Sequence, residues 1–241
     1  MTEPEPAPGY PDVLRLVAPN PGPMTLAGTN TYLVGASPAY VIDPGPADAG
    51  HAEAIAAAAA ARGGIGGVLI THSHADHAGG ARLLEAPLLS PADAAKAGLA
   101  SLATPGHAAD HVCYLRGRLC FSGDLVLGEG SSYVPPDGGS LAAYLESLRR
   151  LRALELDLIA PGHGPWIRNP AAKLDEYLEH RLERERRLVA ELERGERSRA
   201  RLLDAVWDDI PAELRPAAAV VMEAHLQKLQ AEGRLPDRLF D

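Results

Sequence analysis

Sulfur and aromatic carbon are scarce in this chain, and so is any long apolar run. Its 241 residues hold only 2 cysteines, Cys113 and Cys120, too few for the disulfide framework of a small secreted scaffold, so a reducing cytoplasm is the expected compartment. They flank Arg116-Gly117, and a two-residue turn there would set them opposite each other in a hairpin. A bridge between them ranks behind their reading as two small buried apolar residues. With 2 Phe, 2 Trp and 5% aromatic residues overall, the chain has few platforms on which single-stranded bases could stack. No stretch of 18 or more apolar residues is present, and the opening Met1–Asp12 carries acids and prolines where a secretory leader needs basic and apolar segments, so neither membrane insertion nor secretion is expected. Positive charge is in deficit too. Against 32 acidic residues stand 23 basic ones, a net charge of −9, which weakens any simple electrostatic attraction to nucleic acid. The deficit is uneven: 14 of the basic and 16 of the acidic residues fall in 168–241, so that segment carries −2 and residues 1–167 carry −7. A local basic face on the C-terminal part remains open.

What the chain has in local excess is histidine. The stretch Thr71-His72-Ser73-His74-Ala75-Asp76-His77-Ala78-Gly79-Gly80 packs three imidazoles and a carboxylate at metal-ligand spacing. It follows the apolar Val68-Leu69-Ile70, read as a buried strand, and leads through the Gly pair into Ala81-Arg82-Leu83-Leu84, read as a loop opening into a helix. On an extended segment His72 and His74 share a face. Asp76 and His77, at the helix entry, can reach a second point nearby, so one cluster could serve two metal ions.

The rest of the chain reads as a sheet-and-helix frame for that stretch. After a Pro-rich tail, Val13–Val17 alternates like a strand; the turn-rich Asn20–Asn30 leads into strands Thr31–Val34 and Tyr40–Ile42, and Asp43-Pro44-Gly45-Pro46 ends the last of these in a turn. An Ala-rich helix over 48–62, closed by Gly63-Gly64, suits a crossover back to the Val68–Ile70 strand. Residues 81–103 read as a helix end, a short strand and another short helix. The loop Thr104-Pro105-Gly106-His107 feeds a strand at Val112–Leu115; Arg118–Phe121 pairs with it and delivers Ser122-Gly123-Asp124. An amphipathic helix over 140–152 stripes Leu141, Leu145, Leu148 and Leu151 on one side and exposes Arg149, Arg150 and Arg152. A last strand, Leu158–Ala160, ends in Pro161-Gly162-His163-Gly164-Pro165. Beyond Pro170 the pattern changes to charged helices over 171–194, 199–207 and 212–232, with Gly233-Arg234-Leu235-Pro236 as a terminating turn. This divides the chain into residues 1–167 and an appended helical unit, 168–241.

The candidates for chemistry are therefore His72, His74, His77, His107 and His163 with Asp76 and Asp124, each in a turn-rich segment after an apolar run. Four strand ends would have to converge on one rim to unite them. His51, His111, His180 and His225 read first as surface or structural residues, with His111 the one nearest a supporting role.

The ordered set His-x-His-x-Asp-His, His107, Asp124, His163 resembles the metallo-β-lactamase superfamily across residues 13–167. Within it, Asn20–Gly35, Phe121-Ser122-Gly123-Asp124 with Leu127–Gly130, Pro161–Pro165, and His180-Arg181 with Arg184-Glu185 are similar to the beta-lactamase-like protein 2 family, whose animal members are single-stranded-RNA endoribonucleases. The resemblance implies an α/β fold, an αββα sandwich with a binuclear site at the edge of its sheets, plus a small winged-helix-like unit at the C-terminus. It implies that His72, His74 and His107 hold one divalent ion and Asp76, His77 and His163 a second, with Asp124 bridging. Zinc suits those ligands first, and manganese or iron are compatible. Two such ions about 3.5–4 Å apart bring the pKa of a shared water to about 7, supplying hydroxide as nucleophile, with Asp76 a candidate proton acceptor.

Departures from the family bear on substrate. Only about thirty residues separate His77 from His107, so a wall of the site is trimmed, the substrate is expected to be set by the shortened 81–106 segment and the helical C-terminal unit facing it, and Ser73 stands where relatives often have a larger side chain. Asp124, not Cys120, falls at the position where class B lactamases use a cysteine ligand, which argues against a β-lactam. The leading expectation is a phosphodiesterase acting on single-stranded RNA. The runner-up is a hydroxyacylglutathione-hydrolase-like thioesterase, for which Arg149, Arg150 and Arg152 would be a cationic clamp. A non-catalytic binding module with a vestigial site is the third, set back by the complete ligand set. Oligomeric state leaves no trace in the sequence.

Overall fold

The computed structural model describes residues 3–235; Pro236, the last residue of the expected terminating turn, lies outside them. Among the described residues nine strands form two sheets. The first, β1-β2-β3-β4-β5, comprises Glu5–Ala7, Tyr10–Val17, Asn30–Val34, Ala39–Ile42 and Ile65–Leu69; the second, β6-β7-β8-β9, comprises Ala100–Ala103, Val112–Arg116, Leu119–Gly123 and Leu158–Pro161. In each sheet the pairs are antiparallel except the last, β4 with β5 and β8 with β9, which run parallel. A parallel pair needs a crossover. Helices α1 (Ala49–Ala60) and α3 (Leu141–Arg152) provide it, with the one-turn helix α2 (Ala75–Ala78) between them in sequence.

The two-residue period of the strands sorts their side chains into layers. Tyr32, Val34, Ile42 and Leu69 face Val112, Tyr114, Phe121 and Ala160 in one core between the sheets. On the outer face of the first sheet, Leu33, Val41 and Val68 pack on Ile55 and Ala59 of α1. On that of the second, Cys113, Cys120 and Ile159 pack on Leu145, Leu148 and Leu151 of α3. This is the αββα sandwich.

Four local expectations are corrected. The Pro-rich start is the edge strand β1, paired to β2, and Pro6 is tolerated there because an edge strand leaves N–H positions unused. The β7–β8 turn is one residue later than expected, with Arg116 opposite Leu119 and Leu115 opposite Cys120. The cysteines are therefore diagonal neighbours on one face, both free and buried. Residues 79–97 hold two 3₁₀ segments, Gly79–Leu83 and Pro91–Ala97, and a single bridge from Val68 to Leu88, where a helix end, a short strand and another short helix were expected over 81–103. Strand β6 was hidden because Ala100-Ser101-Leu102-Ala103 is mostly exposed and poor in β-branched residues.

The C-terminal part is α4 (Pro170–Glu193), α5 (Arg199–Val206) and α6 (Arg215–Ala231), with a 3₁₀ turn at Ala212–Leu214 where α6 was expected to begin. Helix α4 belongs to two cores. Its Leu174 and Tyr177 join the cluster of α3, while Leu188 and Leu192 pack with Leu202, Trp207, Met222 and Leu226. Inside this helical part, the carboxylate of Glu185 meets Lys228 Nζ at 2.8 Å and Arg234 Nη1 at 3.2 Å, with His225 Nδ1 at 3.9 Å. His225 and, against the opposing effect of burial, Lys228 hold its pKa at about 2, below the ordinary 4.5. A depressed carboxyl contributes stability that is complete above 4.5 and vanishes as the pH falls toward 2. We expect the urea midpoint of wild type to exceed that of Glu185→Gln at neutral pH and the two to converge across that window. A gap unchanged down to pH 2 would contradict the assignment. Among the described residues no helix is long and apolar enough to cross a membrane.

Candidate metal centre

The loops after β5, β6, β8 and β9 meet at one rim of the sandwich, and they bring all seven expected side chains together. Donor atoms fall into three overlapping groups: His72, His74 and His107; Asp76, His77 and His163; and His72, His77 and Asp124 between them. His74 Nδ1 lies 2.9 Å from His72 Nε2 and 3.0 Å from His107 Nε2, and His77 Nε2 lies 3.2 Å from His163 Nε2. Asp124 faces both sides. Its Oδ1 is 3.3 Å from His77 Nε2 and from His163 Nε2, and its Oδ2 is 3.7 Å from His107 Nε2. Asp76 Oδ2 is 3.3 Å from His163 Nε2. His74 is exposed and Asp76 half-buried, while His72, His77, His107 and His163 are buried.

The outer nitrogens fix which way these rings present their lone pairs. His77 Nδ1 donates to Asp43 Oδ2 at 2.9 Å, His107 Nδ1 to the Tyr133 carbonyl at 2.5 Å and His163 Nδ1 to the Gly28 carbonyl at 3.2 Å. Carboxylates and carbonyls only accept, so the proton sits on Nδ1 and Nε2 is turned inward. His72 follows suit through Thr71 Oγ1 at 3.0 Å, since that hydroxyl spends its own proton on Asp43 Oδ2 at 2.7 Å.

Lone pairs converging within about 3 Å repel unless a proton or a cation lies among them. In the bare protein protons take part of that place. Burial works against charge on His77, but Asp124 and Asp43 outweigh it and raise its pKa well above the usual value; His163, opposed by burial and supported by Asp124 and Asp76, is raised to about 9. Burial lowers the pKa of His72 and of His107 below the usual imidazole value. Against burial, His77 and His163 hold Asp124 well below the carboxylate range. Its Oδ1 is nonetheless buried with no hydrogen bond of good geometry, as befits an oxygen shaped for a cation. The residues fit divalent ions: imidazole and carboxylate donors, inward lone pairs, net negative charge and ordered outer partners.

Two glycines make the convergence possible. A Cβ on Gly162 would lie 2.5 Å from Asp124 Oδ1 and 2.6 Å from His77 Cε1, and one on Gly106 (φ 148°) would lie 2.3 Å from Tyr144 Cα. Neither position has room for a side chain.

Asp43 is the functional residue that sequence reasoning missed. Buried at 2% exposure, it accepts from Thr71 N and Thr71 Oγ1, each at 2.7 Å, and from His77. The turn-rich Asn20–Asn30 proves to be the brace of the His163 loop: Asn30 Nδ2 donates to the carbonyls of Pro161 at 2.9 Å and Gly164 at 2.8 Å. Of the four histidines set aside, His51, His111 and His225 are buried, so these three are structural, and none of them lies at the surface. The His111 ring packs 5.2 Å from that of His72 and holds Thr104 Oγ1 at 2.9 Å.

A cavity of about 520 Å³ lies between the loops of the sandwich and helices α4 and α6; none of the seven donor residues lines it, but Tyr133, whose carbonyl accepts from His107 Nδ1, does. Leu26, Leu127, Tyr133, Ile210, Leu214 and Val221 give it apolar walls; Glu129, Glu176, Asp209, Arg181 and Arg184 supply the charges. Both arginines are buried and engaged, Arg184 with Asp209 at 2.6 Å and Arg181 with Ser131 Oγ at 2.9 Å. Of the two parts expected to set the substrate, the C-terminal helices line it and the shortened 81–106 segment does not; Arg149, Arg150 and Arg152 do not line it either. Arg150 is tied to the Ala103 carbonyl and Arg152 to Asp175.

Comparison with known proteins gives a consistent picture. The family model described as "Metallo-beta-lactamase superfamily" matches residues 24–87 and 98–163, and that of the "Beta-lactamase associated winged helix domain" matches 198–236. The chain is 33% identical to a beta-lactamase-like protein 2 homolog from Caenorhabditis elegans, over 95% of this chain and 88% of that protein. It is 31% identical to an atrochrysone carboxyl ACP thioesterase from Aspergillus fumigatus, over 85% and 76% respectively. A metallo-beta-lactamase family protein from Thermus thermophilus superposes with a TM-score of 0.74 at 23% identity, over 94% of this chain and 95% of that one.

Proposed function

The chain belongs to the metallo-beta-lactamase superfamily, and from that premise we propose a binuclear metal-dependent hydrolase that cleaves an ester or thioester carrying an apolar acyl group. His72, His74 and His107 would hold one ion and Asp76, His77 and His163 the other, zinc first by ligand type. The observation that supports two ions is Asp124, whose two oxygens face different donor groups. When bound, the pair supplies Lewis acidity and a water acidified to a pKa of about 7. The chain's own residues do the rest. Asp76, half-buried and beside His163, keeps a low pKa because that contact and His77 overcome the effect of burial; it stays ionised and can accept the proton that the attacking water gives up. The Nδ1 partners hold the rings still, and the cavity's apolar wall orients the acyl group and excludes water from it.

The cavity carries the choice of substrate. An RNA strand needs free cations along its phosphates and exposed rings for its bases, whereas this space is apolar, carries three carboxylates and has both its arginines committed. A thioesterase among the relatives agrees with the acyl reading. Glutathione is not the favoured carrier, because the arginines expected to clamp it point their hydrogen bonds elsewhere. The test is a side-by-side assay of metal-reconstituted protein on acyl thioesters of increasing chain length and on labelled single-stranded RNA, with chelator-treated protein as control. We expect metal-dependent thioester turnover that improves with acyl length. RNA cleavage without thioester turnover would move the substrate to the phosphodiester class, and no metal-dependent activity on either would sink the proposal.

A further inference from the structure

The long helix α4 carries His180-Arg181 and Arg184-Glu185, a pattern prominent in the sequence that the hydrolytic chemistry leaves without a task. Arg181 is 3% exposed although it bears a full charge. Its Nη2 donates to Ser131 Oγ at 2.9 Å and to the Ser132 carbonyl, and its guanidinium stacks 5.5 Å from the centre of the Tyr144 ring. Burying a guanidinium is costly unless it is well partnered, and here Nε has no hydrogen-bond partner. Such a cost needs a return elsewhere in the structure.

The loop that Arg181 grips leads directly to two candidate ligands. Ser132 Oγ donates to the Asp124 carbonyl at 2.5 Å, and the next residue, Tyr133, accepts His107 Nδ1–H on its carbonyl at 2.5 Å. The ring under the guanidinium serves the same end, since Tyr144 Oη donates to the Leu125 carbonyl at 2.7 Å, one residue beyond Asp124. One turn earlier on α4, Tyr177 Oη accepts from Leu127 N and donates to the Gly130 carbonyl, both at 3.0 Å. Residues 124–133 are thus fastened at each end by α4 and α3.

We propose that Arg181 is a positioning residue for the metal centre: by fixing the Ser131–Tyr133 backbone it sets the tautomer and aim of His107 and the placement of Asp124. It rests on the binuclear reading above. Only the inner shell of such a site touches metal, yet partners that orient ligands govern affinity, by about 10–100-fold. Arg181 reaches the centre through two hydrogen bonds in series and touches no reacting atom.

The experiment compares wild type with Arg181→Met, Arg181→Lys and the control Arg186→Ala, whose exposed side chain pairs with Glu179 and Glu183 on the far face of the helix. The readouts are metal affinity by competition with a chromophoric chelator, urea midpoint of the metal-free proteins, and kcat with KM. We expect Arg181→Met to weaken the affinity for at least one ion about 10–100-fold and to lower kcat with KM changed less than about twofold. Arg181→Lys should recover part of the affinity, since an ammonium can still donate to the loop, and Arg186→Ala should match wild type. If wild type itself bound no metal, the binuclear reading would fail. If wild type bound two ions and Arg181→Met bound them equally well, with only a lower urea midpoint or only a raised KM, Arg181 would be a structural or substrate-contacting residue and this inference would be wrong.

Discussion

Asp124→Ala is expected to lower turnover by on the order of 10³–10⁴ while the protein stays folded. The fold should survive because what ties Asp124 into the structure is its backbone: the carbonyl is held by Ser132 Oγ and the neighbouring Leu125 carbonyl by Tyr144. The side chain, by contrast, makes no hydrogen bond of good geometry through Oδ1 and serves only the centre. Removing it leaves His77, His107 and His163 aimed at a space that has lost the charge facing both donor groups. Two dications held close together would repel, and the remaining carboxylate, Asp76, belongs to one donor group only, so metal content should fall from two ions per chain to one or fewer. Asp124→Asn separates shape from charge. It fills the same volume and should fail almost as badly, because a neutral amide cannot compensate two dications. Elemental analysis of the purified variants beside their kcat values reads both effects. Two ions and wild-type turnover in the alanine variant would remove Asp124 from the centre altogether.

Much of this arrangement is legible in the sequence, for a physical reason. Ligand chemistry is local: His72, His74, Asp76 and His77 crowd one strand end, and the short apolar runs that mark β7, β8 and β9 flank the loops of His107, Asp124 and His163. Asp43 escaped because Asp-Pro-Gly-Pro is a sufficient turn signal by itself, and nothing nearby advertises a metal. Its role follows from pairing. With β4 parallel to β5 and Ile42 beside Leu69, the residue after β4 must meet the segment after β5, which is where the histidines begin. The edge strand β6 was illegible because its exposed Ala and Ser residues leave no alternation to read. The cavity was beyond reach from the chain alone, since Leu26, Leu127 and Val221 are brought together only by docking of α4 and α6 on the sandwich. Sequence reasoning placed part of the substrate wall in the C-terminal unit, whose helices do line the cavity, but it also sought part of that wall in residues 81–106 and a clamp on α3. It found neither there, because short 3₁₀ segments pack that stretch against β5 and the α3 arginines face outward to Ala103 and Asp175.

Asp43 carries the second large expectation. Among the described residues its carboxylate is the sole acceptor for Thr71 N and for His77 Nδ1, and it takes the Thr71 hydroxyl as well. Asp43→Ala would strand those donors in the interior, at about 1–3 kcal/mol for each neutral donor left unmet, and it would place alanine at a φ of 51°, where Asp and Asn are tolerated better than other residues. That variant should be badly destabilised, which makes it a poor reporter of function. Asp43→Asn is the sharper probe. With the amide oxygen on Thr71 N, the amide N–H₂ takes the place of Oδ2, which faces both the Thr71 hydroxyl and His77 Nδ1; it can only donate, so the imidazole must carry its proton on Nε2 instead. The lone pair needed for the metal is then capped. We therefore expect Asp43→Asn to keep most of the wild-type urea midpoint in the metal-free state, yet to lose about 10–100-fold in metal affinity and to lose turnover with it. Chelator competition and urea titration on the same preparations separate the two effects. An asparagine variant that binds metal as tightly as wild type would show that the Nδ1 partner does not govern His77, and the tautomer argument for the whole ring of histidines would lose its strongest member.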